Sequence, residues 1–365
     1  VVFGVLTATV FRDHAVNLIR RISYTQNAED FPHNAQTNSL FLGINDNLLV
    51  CTQSQLQLLS PSGTSRLKQT VTMSAPALNA AGKYAVVYDV GGQELSVVEG
   101  EKLLYELELP AEEALLCATI NDKGWMAVTS KVSGYKGVVT VYNSSFEPVL
   151  AIRLSSRYIS DAVVTPDCRG VYLIAPGQSG GTFENSLLYY TFSSKDKPVR
   201  ELSLGSNVVL SILSRGKCWI LGDKSLFILD SSGVITATYD YEGQYLKMGS
   251  LQGNDFASLF LSHSASGSAG TLITVGSNGE PYGKLSLDGQ ALALAAQGRT
   301  VAILTTGEII TTDRDLKHYT KEANQRGAKN LAVYQDGSVA LINSATVSLF
   351  FPSMLDQLDN EEATQ

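Results

Sequence analysis

Closely paired cysteines are missing from this chain. Its thiols, Cys51, Cys117, Cys168 and Cys218, are scattered and form no C-x-x-C pair. Structural zinc sites draw their ligands from such short spacings, so no metal site is expected. Buried free thiols are the expectation, with a Cys117–Cys168 bridge between neighbouring repeats left open. Positive charge is short as well: 27 Lys and Arg stand against 35 Asp and Glu, for a net charge of −8. A general nucleic-acid binder needs a basic surface, so that class is disfavoured. No D-x-D-x-D-G calcium loop and no Gly-rich phosphate loop ahead of a helix occurs. Histidine is scarce: His14 and His33 precede the repeats described below, His318 falls in an outer strand, and His263 alone sits in an enlarged loop.

What the chain does have is 31 glycines and a recurring turn followed by a strand. "TINDKGWMAVTS", "LNAAGKYAVVYD", "TPDCRGVYLIAP" and "VYQDGSVALINS" are versions of it. From Ser39 onward, β-type runs of about five to seven residues alternate with turns rich in Gly, Asn, Asp, Ser and Pro. Grouped in fours, they repeat with a period of about 40 residues, the length of a propeller blade. The second unit, for example, is "PALNAAG", "KYAVVYD", "QELSVVE" and "KLLYELEL". The last unit has only three strands, "KNLAVYQD", "GSVALIN" and "TVSLFFP". An open array would leave a bare sheet edge. A ring removes it if a strand from before the first unit completes the last, and "DFPHNAQ" (residues 30–36) is in place to do so.

A taper supports the ring. First strands carry small residues ("CATI", "AVVT", "ALALAA"), as crowding at an axis requires, whereas fourth strands such as "KLLYELEL" alternate apolar and polar residues. A stack of sandwich domains would not require it. The reading is therefore all-β: a single eight-bladed β-propeller over residues 29–353, with seven blades as the alternative count. In the "NDKG" turns, Asp122 and Gly124 are expected to serve turn geometry, and Trp125 to pack between blades.

The head of the chain differs. "VVFGVLTATVF" is an apolar run too short to cross a bilayer by itself, and residues 1–12 read as the end of a transmembrane or signal-anchor segment. "DHAVNLIRRISY" places Val16, Leu18, Ile19 and Ile22 at helical spacing behind an Asp13 cap, so residues 13–28 read as a short juxtamembrane N-terminal helix and linker. Residues 354–365, ending in "DQLDNEEATQ", form an acidic tail without a large apolar content, expected to be disordered.

"TPDCRGVYLIAP" resembles the S-P-D-G turn of TolB-type propellers. "NDKGW" departs from the sialidase Asp-box because Trp follows Gly directly, and the terminal Trp-Asp pair of true WD repeats is absent. Over most of its length, through the apolar head, "NLIRRISY", "GKYAVVYDVGGQELSV" and "GWMAVTSKVSGYKGVVTVYN", the chain resembles an uncharacterised family of Gram-positive (Clostridia-type) membrane proteins. That resemblance implies one transmembrane helix and an external quinoprotein-like or WD-like propeller, and it brings no catalytic residues.

Function then points to loops. Enlarged connections between second and third strands, "SKVSGYKG", "APGQSGGTFEN" and "LSHSASGSAG", lie on the same face as the links between blades. The rim candidates there are Arg157, Tyr158, Tyr245, Lys247, His263 and Arg326. The expectation is a non-catalytic scaffold, monomeric, held at the cell membrane on its outer side, with a protein or cell-envelope partner, no nucleic acid and no cofactor. A cytoplasmic location is the alternative. The competing activity is a hydrolase or quinone-type enzyme with its site in the axial funnel, marked there by clustered carboxylates or His263.

Overall fold

A computed structural model describes residues 30–33, 39–324 and 326–352. The apolar head, the expected N-terminal helix with its linker, and the acidic tail lie outside the described residues. Among those residues there is no helix, and hence none long and apolar enough to cross a membrane.

The strands form eight four-stranded antiparallel sheets. Blades 1 to 7 are residues 40–70, 76–108, 114–154, 161–203, 209–240, 245–287 and 291–323. Blade 8 combines residues 330–350 with the strand Phe31–Pro32, which pairs with Thr346–Phe350 as its outer edge. The count is eight, not the seven held as an alternative, and the ring closes through the N-terminal strand. His33 extends the closure: its amide donates to Ala345 O (3.1 Å), and its Nε2 lies 2.9 Å from Asn343 O.

No single central core exists. An apolar cluster fills every junction between neighbouring blades. The second and third strands, buried on both faces, are predominantly apolar, as in "YAVVYD" and "SLFIL". Outer strands alternate, and Lys102–Glu108 exposes every second side chain. Trp125 stacks on Phe192 of blade 4 with centroids 5.5 Å apart, so it does pack between blades. The innermost strands need small residues at the seam: a Cβ on Gly43 of blade 1 would fall 2.0 Å from Val333 O of blade 8.

One detail of the repeated turn differs from expectation. Its cap is Asn121, not Asp122. The Asn121 Oδ1 accepts from the amides of Lys123 (3.0 Å) and Trp125 (2.9 Å), while its Nδ2 reaches Thr165 O and Cys168 Sγ in blade 4. Gly124 takes the positive φ, at 78°. All four cysteines are free, so the Cys117–Cys168 bridge is not formed.

Candidate functional site

Sheet order places two kinds of connection at each end of a blade. Links between blades and turns between second and third strands share one face, here the linker face. The remaining hairpin turns form the opposite, hairpin face.

The rim candidates all lie on the linker side, at separate junctions. Arg157 and Tyr158 link blades 3 and 4. Arg157 Nη1 is 2.5 Å from Glu201 Oε1 of the outer strand Arg200–Ser203, and Lys136 Nζ sits 5.1 Å from the Tyr158 ring centroid. Tyr245, Lys247 and His263 cluster on blade 6: Tyr245 faces Ser262 across the ladder, His263 follows at the exposed loop, and Lys247 Nζ donates to Ala265 O in that loop. Arg326 stands apart, 2.7 Å from Asp30 beside the closing strand. Arg157 and Arg326 thus hold neighbouring carboxylates.

Sequence reading picked out Tyr158 and Tyr245 on this face but missed the wider apolar arc they belong to. Tyr135, Tyr158, Phe183, Val208, Leu210 and Tyr245 run as an arc over blades 3 to 6, and Tyr158 (61%) and Tyr245 (50%) are at least half exposed. Local geometry builds the arc. "APGQSGGTFEN" is a strand pair rather than a loop: Gly170–Ser179 and Thr182–Thr191 pair to the Gly180-Gly181 turn and outrun their short neighbours, lifting Phe183. The inner strands of blades 3, 5, 6 and 7 bulge at Leu116, Leu210, Lys247 and Leu292, near their linker-face ends. Bulges commonly re-aim side chains at rims. Beside the arc, a groove of about 430 Å³ opens between blades 2 and 3, lined by Gln93, Glu112, Glu113, Lys131, Ser133 and Tyr135. Gln93 Nε2 fixes one wall by donating to Glu113 O (3.0 Å).

The axis is not an open hole. The inner strand Pro76–Ala81 of blade 2 meets Val209–Arg215 of blade 5 across it. Asn79 is the brace: Nδ2 donates to Ile212 O (3.1 Å), and Oδ1 accepts from Ile120 N of blade 3 (3.1 Å). Asp122 N donates to Ser214 O (3.3 Å), and Gln252 of blade 6 donates to Ala80 O (2.8 Å). The only sequence signal was an Asn in a run of small residues, "PALNAAG". What remains is a channel of about 260 Å³ with no lining from blades 3 or 4. Its lining contains no carboxylate, histidine, cysteine, lysine or arginine. It therefore offers no acid–base pair of the kind a hydrolase needs, and His263 lies on an outer loop instead.

One half-buried polar cluster lies off the axis, where blades 2, 3 and 4 meet. Cys117 Sγ is 3.0 Å from Asp161 Oδ1, and the Tyr88 hydroxyl is 3.6 Å from that sulfur. Burial pushes the Asp161 carboxyl up to about 6, although hydrogen bonds from the Cys117 thiol and the Ala162 amide pull it back. Burial also raises Cys117 well above the usual thiol value, so this is not an activated nucleophile. Asp161 should tie stability to pH. Between about pH 4 and pH 6 the folded chain holds a proton that the unfolded chain has released, so stability falls as pH rises through that window. Asp161→Asn keeps the acceptor and never charges. It is expected to stabilise the fold by about 3 kcal/mol at pH 7.5 and by nothing at pH 4. Urea midpoints at the two pH values check this, and a gain independent of pH would refute it.

Among the described residues no group of His, Cys, Asp and Glu could hold a metal ion.

A family model described as "Family of unknown function (DUF5711)" matches residues 20–348. No curated protein matches the sequence. Among solved structures, the C-terminal WD40 domain of Sif2 superimposes with a TM-score of 0.58 at 15% identity, covering 86% of this chain and 97% of the other. The WD40 domain of SCAP from fission yeast gives 0.52 at 10% identity, covering 89% and 98%. A quinohemoprotein alcohol dehydrogenase from Pseudomonas putida HK5 gives 0.52 at 9% identity, covering 86% and 71%. At these identities the likeness is one of fold alone.

Proposed function

The chain belongs to the DUF5711 family of unknown function, and from that premise we propose that it is a non-catalytic scaffold that docks a protein partner on its linker face. The observation that carries this reading is the arc from Tyr135 to Tyr245. Large apolar side chains kept exposed on one face of a rigid ring are costly to leave in water and mark interaction sites. Aromatic side chains such as Tyr135, Tyr158 and Tyr245 are the residues that interface centres favour. The groove between blades 2 and 3 supplies a polar pocket at the arc's edge.

The proposal extends to place. The apolar run at residues 1–11 supports an anchor in the membrane of a Gram-positive cell, with the propeller on the outer side. Carbonate extraction of native membranes, followed by protease treatment of intact cells, tests the anchor and the side separately.

The partner test uses a paired substitution. Tyr158→Ala with Phe183→Ser should weaken capture of a membrane-derived partner at least tenfold. Val149→Ser, on the outer edge of blade 3, should leave capture unchanged. Both variants should keep the wild-type unfolding midpoint, because exposed positions contribute within about 0.5 kcal/mol. Capture that ignores the arc substitutions would remove the linker face as the docking surface.

A further inference from the structure

The hairpin face holds a second feature, independent of the arc. Where the axial channel reaches that face it adjoins a pocket of about 190 Å³, and the two spaces share Gly43, Ala80, Gln252 and Gln297. Lys83 and Arg215 are the charged residues of its lining, which contains no carboxylate. The other polar side chains are amides: Asn45, Gln252, Asn254, Gln297 and Gln335.

Arg215 is the unusual member. It ends the inner strand of blade 5 half-buried, and one guanidinium N–H donates to Gly253 O of blade 6. A guanidinium carries five N–H donors. Among the described residues no carboxylate lies within 4.0 Å of it. Asp122 and Asp255 act on it only from farther away, while burial weakens its hold on the proton. Its charge is partly stripped of water and, with Asp122 and Asp255 acting only at a distance, lacks a contacting counter-charge, an arrangement that leaves room for an incoming anion. Lys83 differs, since it is exposed and paired with Glu99.

We propose that this pocket binds a small oxyanion, a carboxylate or a phosphate, on the Arg215 guanidinium, with the surrounding amides as further donors. The planar fork of arginine matches the paired oxygens of either group. A lining of one half-buried guanidinium and five side-chain amides suits inorganic phosphate or a short carboxylate. The site lies opposite the arc, so a bound anion leaves the linker face free.

The test is calorimetric titration of the whole protein with sodium phosphate and, separately, sodium acetate, each against sodium chloride at equal ionic strength. Saturable heat with phosphate, acetate or both, absent with chloride, is the expected result, and the active anion identifies the source. Heat equal to that of chloride for both anions overturns the site. Thermal unfolding adds a second reading. At a tenfold excess over Kd the active anion should raise the midpoint by about 2 °C. Arg215→Gln should abolish that shift, and Arg215→Lys should keep part of it. An undiminished shift in Arg215→Gln places the anion elsewhere and overturns the assignment.

Discussion

Phe31→Ala is expected to lower unfolding stability by about 3–4 kcal/mol, the range for truncating a buried aromatic. Phe31 is 6% exposed and packs with Leu48, Val50, Leu59, Ile342 and Val347 at the junction of blades 8 and 1. The closing strand itself is the two-residue element Phe31–Pro32, so its ladder alone is a weak clasp. The aromatic ring supplies most of the grip, wedged against the turn at Gly63, where a Cβ would meet it at 2.5 Å. Without it, the edge of Thr346–Phe350 is bared to other chains. Urea titration should show the lower midpoint, and size-exclusion chromatography should show concentration-dependent association. An unchanged midpoint would mean that His33 and its two contacts close the ring without help.

Asn79→Leu is expected to cost about 2–4 kcal/mol. The substitution removes the partners of Ile120 N and Ile212 O together, and each buried backbone group left unpaired costs about 1–3 kcal/mol. For a chain this long, that is about 3–5 °C in the unfolding midpoint. Differential scanning calorimetry reads it directly. A midpoint within about 1 °C of wild type would show that water from the channel replaces both partners.

These two residues mark the boundary of what the sequence can show. Blade register was legible because it is local: each hairpin is written by its own turn residues and each inner strand by its small side chains. The three-stranded last unit even announced the missing partner strand. Asn79 and Ile212 are 133 positions apart, and nothing near either one in sequence refers to the other. The choice of Asn121 over Asp122 as turn cap was hidden for a different reason. Either side chain can cap, and only the neighbouring blade, through Thr165 O and Cys168 Sγ, selects the amide. The rim loops were placed correctly on one face. Their charges were not legible as paired, because Glu201 and Asp30 come from an outer strand and from the closing end. The apolar arc depends on a projecting strand pair and on bulges, and bulges depend on what the next strand presents.

The brace also changes how such a ring comes apart. A simple ring held by one clasp unzips in either direction once the clasp is lost. Here the cross-axis bonds tie blades 2, 3, 5 and 6 to one another without passing through the seam. Loss of the seam is expected to free blades 8 and 1 first, with Gln297 of blade 7 still tied to blade 1 at Asn45, and to stop at the brace. Amide exchange would divide accordingly: a lower-energy opening for the seam blades, and global unfolding for the inner strands around Asn79. The molecule is thus expected to open as a latched arc on a cross-braced half-ring, with two opening energies instead of one.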